Sequence, residues 1–208
     1  NPTYDANGLV KIDQHWQKKL EFSGQLEGDG TVKLANTNNE ENAIYLITGE
    51  NNTFSGTFEL IDDNGSGESD IIELRLGTET AAQFADIKLS ATQAKSYLML
   101  DSDTTINGLY GVVDGDNAVR AQGLARTLTV SVGDFGGSLQ NGTEPLTLIK
   151  QGSGTLILRG ANTYTGTTSI TGGTLELAGA VSMAADGGAI DVASGAKLLL
   201  NTTQELTL

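Results

Sequence analysis

The chain has 208 residues, enough for one large domain or one stretch of a repeat array, with 38% hydrophobic residues to supply a core. It has no cysteine, which excludes a disulfide framework and any thiolate zinc site. Its net charge of −14, from 26 acids against 12 bases, repels phosphate and so disfavours nucleic acid and anionic membrane surfaces while attracting divalent cations.

Glycine stands at 27 and proline at only 2, and the glycines follow no every-third-residue rule, so collagen is excluded. Many turns with abundant threonine in short apolar alternations predict an all-β chain. No run approaches the ~18 apolar residues of a membrane helix. The sequence starts at Asn1 without methionine or signal peptide, which reads as a processed product or a window from something longer.

Residues 1–20 hold the lone Trp16, the lone His15 and the pair Lys18-Lys19, and fit no repeat; an edge strand or cap is expected. A glycine-turn strand follows at Gly28-Asp29-Gly30-Thr31-Val32-Lys33-Leu34, and then an element Asn52-Thr53-Phe54-Ser55-Gly56-Thr57. Between them, Ala35 to Asn51 is expected to form a lateral insertion.

The run Asp62 to Glu73 places oxygen side chains at its positions 1, 3, 5, 9 and 12, namely Asp62, Asn64, Ser66, Asp70 and Glu73, with Gly67 at position 6 and Glu68 as a further candidate ligand. That is the spacing of an EF-hand calcium loop, which needs six to eight oxygens. Serine at the fifth position, Ser69 at the eighth and flanking strand-like segments favour instead a polar hairpin loop. No other cofactor is implied.

Ala81 to Ala85 suggests a short helix, whereas Ile87-Lys88-Leu89 and Tyr97-Leu98-Met99-Leu100 suggest strands. The carboxylate pairs Asp101/Asp103 and Asp114/Asp116 have the separation needed to line a sugar-cleaving groove if each pair shares a strand face. The competing expectation is solvated acidic turns, because Tyr97 and Tyr110 are isolated and no sugar platform adjoins. With one histidine, triad and metal-histidine chemistry are disfavoured, and no glycine loop leads into a helix to cradle phosphate.

From Thr127 the pattern becomes regular. Gly154-Thr155-Leu156 is followed by Gly173-Thr174-Leu175 and then Gly195-Ala196-Lys197-Leu198, at glycine offsets of 19 and 22. That length suits one coil of short strands and turns. In Thr174-Leu175-Glu176-Leu177 the leucines point one way and Glu176 the other. Leu156, Leu158, Leu175, Leu177, Leu198 and Leu200 are therefore expected to stack in an interior column. Gly154, Gly166, Gly173 and Gly195 are placed at the bends, where positive φ suits glycine. Asn162-Thr163-Tyr164-Thr165-Gly166-Thr167 repeats the element at Asn52, and the two asparagines are either members of a ladder or ordinary turn residues.

The run from Leu146 through Lys150-Gln151-Gly152-Ser153-Gly154-Thr155-Leu156, Asn162-Thr163-Tyr164-Thr165-Gly166 and Gly173-Thr174-Leu175 resembles the autotransporter-associated β-strand repeat. The resemblance covers about 127–208 well and 24–60 loosely. It implies the passenger of a bacterial surface or secreted protein, folded as a right-handed parallel β-helix (β-solenoid), with a repeat tied to passenger folding and export and without catalytic residues. The expected division is a divergent β-rich region 1–126 with lateral insertions and regular β-helix repeats at 127–208.

A structural or adhesive, non-enzymatic extracellular or cell-surface module is the expected function. Leu198-Leu199-Leu200 and Leu206-Thr207-Leu208 read as strands without a cap, which predicts either more chain or self-association through strand edges into a head-to-tail filament. A polysaccharide-binding or polysaccharide-cleaving β-helix is the other alternative, with a host or environmental glycan as partner.

Overall fold

The computed structural model describes residues 3–4, 9–11, 19–36, 42–61, 71–113, 116–179 and 188–202. In chain order its strands are β1 (Thr3–Tyr4), β2 (Leu9–Lys11), β3 (Lys19–Phe22), β4 (Thr31–Ala35), β5 (Ala43–Ile47), β6 (Thr57–Ile61) and β7 (Ile71–Leu76). They continue as β8 (Asp86–Leu89), β9 (Lys95–Leu100), β10 (Thr104–Gly111), β11 (Asn117–Ala121), β12 (Arg126–Phe135) and β13 (Ser138–Gln140). The last are β14 (Leu146–Lys150), β15 (Thr155–Leu158), β16 (Thr168–Ile170), β17 (Thr174–Gly179), β18 (Ile190–Val192) and β19 (Lys197–Thr202).

The strands stack as a parallel β-solenoid of about 7 turns, as the repeat pattern requires. Among the described residues one pair is antiparallel, β1 on β2, at the edge of the sheet where an edge strand was expected. Three faces can be traced. The first runs through the front halves of β10 and β12 to β14, β16 and β18. The second runs β2-β4-β6-β8, through the back halves of β10 and β12, to β15, β17 and β19. The third is β3-β5-β7-β9-β11-β13.

Strand alternation fills the interior. On the second face one column runs in register through Leu34, Leu60, Leu89, Gly111, Phe135, Leu158, Leu177 and Leu200. The expected pairs Leu156↔Leu175↔Leu198 and Leu158↔Leu177↔Leu200 are therefore observed. Gly111 explains itself here: a Cβ on it would lie 2.9 Å from the ring of Phe135, which fills the space. Each buried leucine contributes roughly 1.5–3 kcal/mol, yet only because the coils above and below cover it.

Coil length varies more than the regular repeats suggest. The step from Leu158 to Leu177 is 19 residues and the step from Leu60 to Leu89 is 29. The stretch Ala35 to Asn51, expected as a lateral insertion, contains β5, a core strand whose Tyr45 and Ile47 are fully buried. No short helix forms at Ala81 to Ala85. Tight turns place Ala81, Ala82 and Ala85 in the core, and β8 and β9 follow as strands.

The bends also differ from expectation. Gly173 and Gly195 take positive φ, as does Gly152, but Gly154 and Gly166 do not. Gly166 is needed because a Cβ would overlap the Leu146 carbonyl of the coil below. Asn51, not Asn52, takes the left-handed conformation, with φ 56°.

Candidate functional site

The segment that carries the repeat shows what its residues do. Lys150 ends β14 with its side chain fully buried. Its Nζ donates to the carbonyls of Gln151 (2.6 Å), Gly152 (3.4 Å) and Gly172 (3.1 Å), which links two successive coils at one corner. Burial holds this ammonium below the ordinary lysine pKa. Asn162 is also fully buried: its Oδ1 accepts the Leu139 N–H at 2.9 Å and its Nδ2 donates to the Gly160 carbonyl at 3.0 Å. Tyr164 closes the corner through a 2.6 Å hydrogen bond with the Thr168 hydroxyl, and burial pushes its phenol up to about 12.

Asn52 does the same work. Its Oδ1 accepts the Leu26 N–H at 2.7 Å, and its Nδ2 donates to the carbonyls of Gly49 (3.0 Å) and Ala81 (2.9 Å). Asn52 and Asn162 therefore bind backbone of neighbouring coils and form no asparagine ladder with each other. They also occupy different corners. The strand after Asn52 is β6, on the second face, and the strand after Asn162 is β16, on the first.

The outer surface of the third face carries the densest chemistry. Two outward rows run across it in register: Glu73, Tyr97, Ala118, Ser138, and Arg75, Met99, Arg120, Gln140. Tyr97, Met99 and Ala118 are buried although they point away from the main core, and Ile71 packs on them. The Arg120 guanidinium lies over the Tyr97 ring, 4.0 Å from its centroid, and its Nε donates to Gln140 Oε1 at 2.8 Å. Beside it opens a groove of about 430 Å³ lined by Met99, Arg120, Gln122, Gln140, Asn141 and Thr143.

The carboxylates named from the sequence are placed as follows. Asp101 is bound two-pronged by Arg75, at 3.1 and 2.8 Å. Asp103 accepts the Thr127 N–H at 2.8 Å. Both lie in the bend between β9 and β10, so they share no strand face, and the paired-acid geometry expected of Asp101/Asp103 is absent. Asp116 sits 3.5 Å from Lys95 Nζ and accepts the Tyr97 hydroxyl at 3.4 Å. Its expected partner Asp114 lies outside the described residues, as do His15, Trp16 and Lys18. So do Asp62, Asn64, Ser66, Glu68 and Asp70 of the calcium-loop expectation. The remaining member, Glu73, stands on β7 with its carboxyl pushed up, first by burial and further by Asp101, against the pull of Arg75 and Arg120. Among the described residues no three His, Cys, Asp or Glu side chains cluster as a metal site.

The second face carries charge on its outer side. Lys33, Glu59 and Lys88 are ladder neighbours, with Lys88 Nζ 2.7 Å from Glu59. Burial pushes the Glu59 carboxyl up, but Lys88, the Ser90 hydroxyl and Lys33 together outweigh it and hold the group below its ordinary value.

These features define a parallel β-solenoid: stacked coils tied to one another at their corners. Residues 148–177, from β14 to β17, match the family model described as Passenger-associated-transport-repeat. The chain is 40% identical over 105 residues, 47% of its length, to the Adhesin BmaC autotransporter of Brucella suis biovar 1 (strain 1330). It spans about 3% of the length of that curated relative. No solved structure matches the chain. The two likenesses support an autotransporter passenger with repeats.

Proposed function

We propose that this chain is a non-catalytic, adhesive segment of a bacterial surface passenger: a stiff rod that carries contact surfaces on its outer faces. The observation behind this reading is the solenoid's division of labour. Its interior holds an apolar column in register, its corners are tied coil to coil, and its outward residues take no part in either. The similarity to an adhesin autotransporter agrees with a place at the cell surface. Asp101 and Asp103, engaged by Arg75 and the Thr127 amide, are occupied in holding the bend, which supports a role other than acid catalysis.

The test is a bacterial strain displaying the chain within a passenger, compared with the same strain carrying an unrelated solenoid of equal length. Higher attachment to epithelial cells or to matrix-coated surfaces is expected for the first. Equal attachment by both strains overturns the adhesive reading.

A further inference from the structure

The third face holds an arginine that, like Arg126 and unlike Arg75 and Arg159, has no carboxylate partner among the described residues. Arg75 grips Asp101 with two hydrogen bonds, and Arg159 grips Asp134 with two, at 2.5 and 2.9 Å. Arg120 has no carboxylate within ion-pair distance among the described residues, although the chain carries 26 acids. Glu73 lies on the same face, one row across, and forms no ion pair with it among those residues.

Arg120 is nevertheless held still. Tyr97 supports the plane of the guanidinium from below, and Gln140 takes the Nε hydrogen. Both contacts leave the Nη groups without a partner among the described residues, and Arg120 lines the groove. A guanidinium stacked and pinned in this way has already lost much of its conformational freedom, so a two-pronged bond to a carboxylate costs less to form.

The remaining lining fits a sugar ring. Met99 lines the groove, and Gly123 and Gly142 leave a shelf without side chains, where the coils approach so closely that a Cβ on Gly142 would overlap the Ala121 carbonyl. Such a shelf suits the apolar face of a pyranose. The exposed Gln122 amide has no intramolecular partner among the described residues, and the Thr143 hydroxyl donates to Gly123 O while keeping its lone pairs. Both can meet sugar hydroxyls. Adjacent coils are about 4.8 Å apart, so the width of two coils accommodates one or two sugar units.

We infer that the Arg120 groove is a binding site for a sugar that carries a single carboxylate within an otherwise neutral glycan. The net charge of −14 sets that limit. The long-range field repels a dense polyanion, while one carboxylate seated on Arg120 gains a short-range, charge-assisted pair. The inference rests on the adhesive reading and adds its ligand class.

The test uses the whole chain, with sialyllactose and a glucuronic-acid disaccharide as probes. Lactose is the neutral control, a glutamate tripeptide is the acidic-peptide control and heparin is the polyanion control. Calorimetry is expected to show binding of at least one carboxylated sugar, and which of the two binds separates a sialic acid from a uronic acid. Arg120→Gln should weaken that binding by about tenfold or more, and Arg120→Lys nearly as much, because a point charge lacks the fork. Arg159→Gln should leave it unchanged. The methyl ester of the bound sugar should lose binding to the unaltered chain, which reads the same contact without altering the fold. Binding of lactose, heparin or the glutamate peptide as tight as that of the sugar acids overturns the inference. So does the absence of binding by both sugar acids, or an unchanged affinity in Arg120→Gln. Displayed cells separate the two levels. Attachment that survives Arg120→Gln removes the groove and keeps the adhesive reading, whereas an unaltered chain that never attaches removes the adhesive reading itself.

Discussion

Asn162→Ala tests the corner chemistry most directly. The side chain is fully buried and serves two backbone groups, the Leu139 N–H at 2.9 Å and the Gly160 carbonyl at 3.0 Å. Alanine leaves the Leu139 donor without a partner beneath a covered corner, which costs about 1–3 kcal/mol. The Gly160 carbonyl is only partly covered, so water can replace that bond at a smaller loss, and the total is about 2–3 kcal/mol. For a chain of this size that lowers the melting temperature by roughly 4–12 °C. Stacked coils unfold by neighbourhood as well as globally, so the sharper assay is amide exchange at Leu139. Its protection should fall by roughly 10–100-fold while that of Leu74, on a distant coil, stays constant. Asn162→Asp adds a sign. One oxygen still accepts the Leu139 N–H, but a buried charge faces the Gly160 carbonyl, so the folded-state pKa of the new carboxyl is raised. Its stability is then fully present below the unfolded value of about 3.9 and is lost as pH rises through the folded value. The aspartate variant should therefore approach the parent near pH 4 and fall below the alanine variant at pH 7. Unchanged Leu139 exchange in Asn162→Ala, or a melting shift under about 1 °C, refutes the corner assignment.

Three further outcomes follow from the same geometry. Gly160→Ala should cost about 1–3 kcal/mol in chemical denaturation, because its Cβ would overlap the Gly137 carbonyl of the coil below, whereas Gly30→Ala, with open space around it and no positive φ, should be neutral or slightly stabilising. Tyr164, with its phenol pushed up to about 12, should stay protonated after exposed tyrosines ionise; its contribution is fully present below pH 10 and is lost as pH rises through about 12, so an ultraviolet titration should lose one late-ionising group in Tyr164→Phe. The half-buried Arg75–Asp101 pair should show a coupling of about 1 kcal/mol in a double-mutant cycle by thermal melts, at the top of the range of exposed pairs, and a value near zero would remove it as a tie between β7 and the bend after β9.

The parts of the fold legible in the sequence are those fixed by strand alternation. Leu156, Leu175 and Leu198 announce a shared interior column because each is followed two residues later by another leucine, with Ile157, Glu176 and Leu199 pointing outward between them. What the sequence hides is coil length. The step of 29 residues at Leu60 and of 19 at Leu158 places similar motifs on different faces, so β5 within Ala35 to Asn51 looks like an insertion when the copies are aligned. The Arg120 site is hidden for the same reason. Tyr97 reads as an isolated aromatic, and only the β9–β11 register, with Tyr97 beside Ala118 and Met99 beside Arg120, brings the guanidinium over its ring. The acidic pair Asp101/Asp103 misleads in the opposite direction, because spacing of two residues implies a shared face only where the strand continues, and β9 ends at Leu100.

The Asn-Thr-aromatic element is best understood as a corner device rather than a marker of repeat phase. At Asn52 it leads into the second face and at Asn162 into the first, yet in both places the asparagine oxygen takes a leucine N–H from the coil below and the aromatic turns into the core. The physical demand is the same at every corner: the chain must bend, and the bend leaves an inward N–H that no ladder partner reaches. An asparagine with a following glycine that fits against the neighbouring carbonyl meets that demand wherever the bend falls. A sequence can therefore lengthen or shorten its coils, and carry different outer residues on each face, without changing how the corners are tied. On that account the outward rows that hold Tyr97, Arg120 and Gln140 stand apart from the scaffold, since none of the three supplies an inward column residue or a corner tie.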